Sequence, residues 1–172
     1  MDISADLNEL GRTPVCVVCA GPKSVLDIGL TLEYLETQGV PVIAFRTDTV
    51  PAFYTRDSGF AAPCRADSVG ELADMVNAMD GLKMNSGMVV VNPIPGKYEM
   101  DPDKIDKATI KAVAEAKKKH IEGRDVTPFL LARIAELTNN ASLDSNIALV
   151  YNNVCLAAKV AAAMNGQAAE AE

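Results

Sequence analysis

No tryptophan occurs among the 172 residues, and histidine occurs once, as His120. Aromatic residues make up only 5% of a chain that is 49% hydrophobic, so its core must be built from Val, Leu, Ile, Ala and Met. Such an aliphatic, Val-rich core suits buried parallel strands covered by helices. Positive charge is scarce as well. The net charge of −7 argues against a nucleic-acid partner, which would call for clustered Lys and Arg. The densest basic run, Lys117-Lys118-Lys119-His120, reads as a solvated helix face. Met1-Asp2-Ile3-Ser4 is no basic-then-apolar leader, and no apolar run approaches the ~18 residues of a bilayer span. The expectation is a soluble, cytoplasmic protein with no membrane partner.

Four cysteines are present, two of them as Cys16-x-x-Cys19. They lie in the apolar run Val15-Cys16-Val17-Val18-Cys19-Ala20, which reads as a strand. A strand turns residues three apart to opposite faces, so the pair could not easily share a zinc ion or a disulfide. With a single histidine and no second Cys pair at zinc-site spacing, buried structural thiols are the better reading.

Along the chain, a short helix containing Asp6 to Leu10 precedes a strand from Thr13 to Ala20. After Gly21-Pro22, Ser24 reads as the N-cap of a helix to about Gln38, with Gly39 at its C′ position. A second strand follows over residues 41–45, so a β-α-β unit with a parallel, right-handed pair is expected. Residues 46–63, with Pro51, Gly59 and Pro63, read as a loop. Ser68-x-x-Glu71 is a capping box for a helix to about Asp80. A third strand spans residues 87–91 and breaks at Asn92-Pro93-Ile94-Pro95-Gly96. Asp101-Pro102 opens a helix ending near Gly123. Thr127-Pro128 signals the next helix, over residues 129–137. The last helix runs from about Ser142 to Met164, before a frayed tail at about 166–172. The fold class is therefore α/β, a mostly parallel sheet flanked by helices, in one domain over residues 1–172. Three strands make a small sheet for that many helices, as in a partial domain.

Lys23 stands out on physical grounds. It follows an apolar strand and a Gly-Pro turn, just ahead of the expected helix start. Ligands of α/β proteins bind outside the carboxyl ends of the strands. Partial burial and the positive end of a helix dipole both disfavour a charged ammonium. Both favour the neutral amine that Schiff-base chemistry needs. A snorkelling or phosphate-binding lysine at a helix start is the plainer alternative. Asp2, Ser4 and Asp6 cluster at the amino terminus, where Asp2 and Ser4 could cap a short helix. Alternatively, such carboxylates could hold a hard divalent ion through one protein oxygen and several waters.

Asp2-Ile3-Ser4-Ala5-Asp6-Leu7, followed by Val17-Val18-Cys19-Ala20-Gly21-Pro22-Lys23-Ser24-Val25-Leu26-Asp27, resembles the pseudouridine-5′-phosphate glycosidase (indigoidine synthase A-like) family. The similarity continues through Glu33-Tyr34-Leu35-Glu36-Thr37, Pro51-Ala52-Phe53-Tyr54 and Val91-Asn92-Pro93-Ile94-Pro95. It resumes at residues 127–133 and 145–150 and ends at Asn152-Asn153. The resemblance implies reversible cleavage of the carbon–carbon glycosidic bond of pseudouridine 5′-phosphate to uracil and ribose 5-phosphate. A lysine imine on the ring-opened ribose serves as the electron sink, and by motif position that lysine is Lys23. The resemblance further implies Mn²⁺ on Asp2, substrate contacts from Ser4, Ala5, Asp6 and Asn146, and a homotrimer. Mn²⁺ suits carboxylate and water ligands. Family members carry a further amino-terminal region, with a glutamate acid and a substrate-contacting lysine that have no counterpart here. The expectation is thus the carboxy-terminal portion of the enzyme, its missing half supplied by extension or by a separate chain. The alternative is a non-catalytic fragment or accessory subunit that retains the fold and binds sugar phosphate.

Overall fold

The computed structural model describes residues 5–23 and 27–166, the side chain of Arg124 excepted. Four parallel strands form its sheet: β1 (Cys16–Cys19), β2 (Val42–Phe45), β3 (Cys64–Ala66) and β4 (Met88–Val91). Their spatial order is β1-β4-β2-β3. The helices are α1 (Ala5–Leu10), α2 (Ile28–Thr37), α3 (Val69–Gly81), α4 (Pro102–Lys118), α5 (Val126–Leu137) and α6 (Ala141–Met164).

The α/β, parallel character agrees with the sequence. Two details differ. The strand β3 was not foreseen, because Cys64-Arg65-Ala66 is too short and too polar to announce itself. And β1 and β2, though parallel, are not neighbours, since β4 lies between them. Only β4 is buried at every residue, as the central Val-rich strand of a two-sided sheet should be.

Apolar clusters lie on both faces of the sheet. On one, α1 and α2 bring Leu7, Leu10, Ile28 and Leu35 against Val42, Ala44, Val89 and Val91. On the other, α3 and α6 bring Leu72, Leu156 and Val160 against Ile43, Met88 and Val90. Cys16 joins the second cluster and Cys19 the first, so the C-x-x-C thiols do face opposite ways, and both are free.

Local signals explain most helix ends. Ser68 Oγ accepts from the Glu71 amide at 3.2 Å, and Glu71 accepts from the Asp67 amide at 2.6 Å. Asp101 caps α4 by accepting from the Lys104 amide, with Pro102 just inside the helix. Gly39, at φ 66°, ends α2 in a Schellman motif, with the Val40 amide donating to Leu35 O and the Gly39 amide to Glu36 O. Elsewhere the boundaries move. α2 begins at Ile28 with Asp27 as its cap, the Asp27 side chain accepting from the Leu30 amide at 3.0 Å, and the expected cap Ser24 lies outside the described residues. α4 stops at Lys118 rather than near Gly123, and α5 begins at Val126, which puts Thr127 inside its first turn.

α6 has 24 residues and, by length and composition, is apolar enough to cross a membrane, with mean hydropathy 1.5 over an 18-residue window. Ser and Asn residues interrupt the run, so no unbroken apolar stretch gives it away.

Candidate active site

Because all four strands run parallel, their carboxyl ends open at one edge of the sheet, where α/β folds bind ligands. At this edge β1 meets the loop around Val50–Tyr54. Val50, Ala52 and Tyr54 are buried, and the Phe53 amide donates to Ala20 O at 3.0 Å. Gly21 has φ +84°, and a Cβ placed there would stand 1.9 Å from the Pro51 carbonyl oxygen. Only glycine fits a left-handed residue pressed so closely on a backbone. This close packing delivers the chain to Lys23, two residues on.

Lys23 is half-buried. It borders a cavity of about 20 Å³ shared with Tyr54, Thr109, Thr127, Leu130 and Ile134. Its Nζ lies 5.9 Å from the centroid of the Phe53 ring, at the outer reach of a cation–π contact. Burial lowers the Lys23 pKa below its ordinary value, and the negative charge of Asp6 opposes that shift. The helix dipole invoked from sequence does not operate as expected: α2 starts only at Ile28, so desolvation is what favours the neutral amine. Burial also raises the pKa of Tyr54, against the effect of a hydrogen bond with Ser142. Thr109, on α4, is buried, and its Oγ1 has no hydrogen-bond partner among the described residues.

The other expected site residues fall in different places. Asp2 and Ser4 lie outside the described residues. Ala5 and Asp6 form the first turn of α1, and Asp6 is near enough for its charge to act on Lys23. Asn146 is half-buried on α6. It sits one turn before Leu149, which packs with Ala20, Ile94 and Phe53, so this part of α6 reaches the end of β1. Among the described residues no group of three or more His, Cys, Asp or Glu side chains could hold a metal ion.

Several motif residues prove to be braces. Asn92 Nδ2 donates to Asn153 Oδ1 at 3.1 Å, and Asn152 Nδ2 donates to Pro93 O at 3.1 Å. Together they clamp the end of β4 to α6. Arg133 grips Glu115 through two hydrogen bonds of 2.7 and 3.0 Å, joining α5 to α4. Sequence reasoning gave no role to Phe53, Tyr54 or Thr109. The first two sit in a motif that carried the resemblance. Thr109 gives no signal, being one threonine on an alanine-rich helix.

The family described as indigoidine synthase A like protein matches residues 1–163. The chain belongs to that family. Among its curated relatives, the pseudouridine-5′-phosphate glycosidase of Clostridium botulinum is 58% identical over 160 residues, covering 93% of this chain and 52% of the relative. The enzyme of the same name from Geobacillus kaustophilus is 54% identical over 94% of this chain and 54% of its own length. Two solved structures share the fold. The prealnumycin C-glycosynthase AlnA, in complex with ribulose 5-phosphate, superposes with TM-score 0.85 at 30% identity, over 96% of this chain and 54% of that one. An indigoidine synthase A-like protein of Thermotoga maritima gives 0.84 at 36% identity, over 94% and 53%. The chain thus spans about half the length of the relatives it matches.

Proposed function

We propose that this family member forms the lysine-bearing half of a pseudouridine-5′-phosphate glycosidase. The observation that carries the reading is the half-buried Lys23 at the carboxyl end of β1, its ammonium disfavoured by desolvation. A C-glycoside offers no leaving nitrogen or oxygen to protonate. The neutral Lys23 amine instead adds to C1′ as its bond to the ring oxygen breaks, which opens the ribose, passes the amine's proton to the freed oxygen and leaves C1′ bonded to both Nζ and uracil C5. Uracil C5 then takes up a proton as the C1′–C5 bond breaks, the Nζ lone pair closes a C1′=N imine, and water hydrolyses that imine to release ribose 5-phosphate and Lys23. Asp6 keeps a negative charge beside the iminium-forming nitrogen, and Asn146 contacts the substrate.

The same reading includes Mn²⁺ on Asp2, a further contact from Ser4, a homotrimer and a cytoplasmic location. These rest on the resemblance alone, and no step above passes through the metal, which would supply electrostatic support for the substrate. A second reading is favoured by the half-length coverage: the isolated chain keeps the fold and binds sugar phosphate without turning substrate over. Losing general acid–base help alone slows a reaction by about 10²–10⁴-fold.

The test supplies the unmatched portion of the C. botulinum relative and adds borohydride with ribose 5-phosphate. Reduction should trap an adduct that peptide mapping places on Lys23, and Lys23→Ala should abolish both trapping and uracil release. Lys23→Arg should be equally inactive, since a guanidinium stays protonated. An adduct on Lys83 or Lys97, or wild-type turnover by Lys23→Ala, would overturn the assignment.

A further inference from the structure

α6 carries more apolar surface than this fold uses. Its inner face is buried through Leu149, Leu156 and Val160. Its outer face exposes Leu143, Ile147, Val150, Tyr151 and Val154, between 46% and 72% each. Their spacing of four, three, one and three residues places them in a single stripe along the helix. Asp144 and Lys159 are the only charged residues in its 24. A surface helix has one apolar face, whereas a helix apolar on both sides belongs to an interior. Yet only 22% of the most apolar window is buried.

The neighbouring strand tells the same story. β1 packs against α6 and stands at the edge of the sheet. Val15, just ahead of it, and Val17 on it are 43% and 36% exposed. Cys16 and Val18 point to the α6 side, so Val17 points to the opposite face. The uncovered apolar surface therefore wraps around the β1 edge.

We propose that the outer face of α6 and the free edge of β1 together seat the polypeptide equivalent to the half of its relatives that this chain does not span. The proposal rests on the reading above for the existence of that half, but not on the chemistry of Lys23. In the C. botulinum relative the matched residues are 52% of the chain, so polypeptide of nearly equal length is attached to this same unit and must pack against it. A second copy docking by its own α6 would cover the stripe and leave Val17 bare on the other face. A strand added beside β1, with its own flanking layers, covers both. It would also end next to Lys23, since neighbouring strands lie about 4.8 Å apart.

The experiment reads surface accessibility and not activity, so it stands or falls apart from the glycosidase reading. Ile147→Cys and Val154→Cys are labelled with a maleimide and quantified by peptide mapping, with Ile110→Cys on the outside of α4 as control. The 172-residue chain is compared alone, in dilute solution, and co-expressed with the unmatched portion of the C. botulinum relative. A stoichiometric complex should form, with labelling at 147 and 154 slowed at least tenfold and labelling at 110 unchanged. Ile147→Asp should prevent the complex while leaving the circular dichroism of the isolated chain intact. Failure to form a complex, or equally fast labelling within it, would overturn the proposal. So would protection of the stripe in the chain alone by a defined homo-oligomer, or flotation of the complex with phosphatidylcholine vesicles.

Discussion

The two edges of the sheet are finished in different ways. β3 is three residues long, and its Arg65 is held by Asp48 at 2.8 Å and by Asp67 at 2.7 Å. A short, charged strand is how a sheet closes itself to further pairing. β1, at the other edge, presents Val15 and Val17 with no charge between Thr13 and Ala20, beside a helix with a second apolar face. One edge is a boundary of the fold and the other is a joint. Lys23 follows the β1 edge, and the Phe53 loop with α4 and α5 builds the cavity beside it.

The largest effect should come from breaking the built side. In Gly21→Ala the new Cβ would have to occupy space 1.9 Å from the Pro51 carbonyl oxygen, at a left-handed φ. Left-handed strain and overpacking together should cost about 2–5 kcal/mol. The complemented protein should therefore unfold at much lower urea, and Lys23 should lose its adduct even where folded protein remains. A loss below about 1 kcal/mol would mean that the Pro51 loop yields easily and does not hold Lys23 in place.

Exchanging the character of the two edges gives a smaller effect of opposite signs. Val17→Lys puts a charge on the open edge and should reduce self-association of the isolated chain. Arg65→Val removes the charge from the closed edge and should increase it. Light scattering of dilute protein reads both, and neither change should shift the denaturation midpoint much, since exposed ion pairs add little. If Val17→Lys associates as readily as the parent, the joint is not at β1.

The fold was legible wherever local chemistry decides. Asp101-Pro102, Ser68 with Glu71, and Gly39 each satisfied a helix end in the expected way, and the Val-rich run at residues 88–91 became the central strand. β3 was not legible, because its pairing with β2 is a long-range choice that three polar-to-small residues do not encode. The cap of α2 was misread because both Ser24 and Asp27 can cap, and only the packed helix shows that Asp27 does. At the candidate site, Lys23 could be found from its position after an apolar strand and a Gly-Pro turn. Tyr54 and Thr109 reach it from far along the chain, through a loop and a helix that no spacing rule connects. The second apolar face of α6 was not read, because Ser and Asn residues interrupt the apolar run.

The smallest expected effect separates burial from charge at Lys23 itself. Burial lowers its pKa in the folded state below the ordinary 10.5, with Asp6 opposing. Between the lowered value and 10.5 the unfolded chain binds more protons at this residue than the folded one, so its contribution to stability rises with pH across that window. Below the window the half-buried ammonium is charged in both states and destabilises the fold. Lys23→Met keeps the apolar stem and removes the charge. It should therefore be slightly more stable than the parent at pH 7, and the gap should close as pH approaches 10.5, other lysines titrating alike in both proteins. Denaturation midpoints of the two complemented proteins between pH 7 and 10.5 measure the gap directly. A gap that stays constant or widens would show that desolvation does not control Lys23, and that its neutral amine needs another cause.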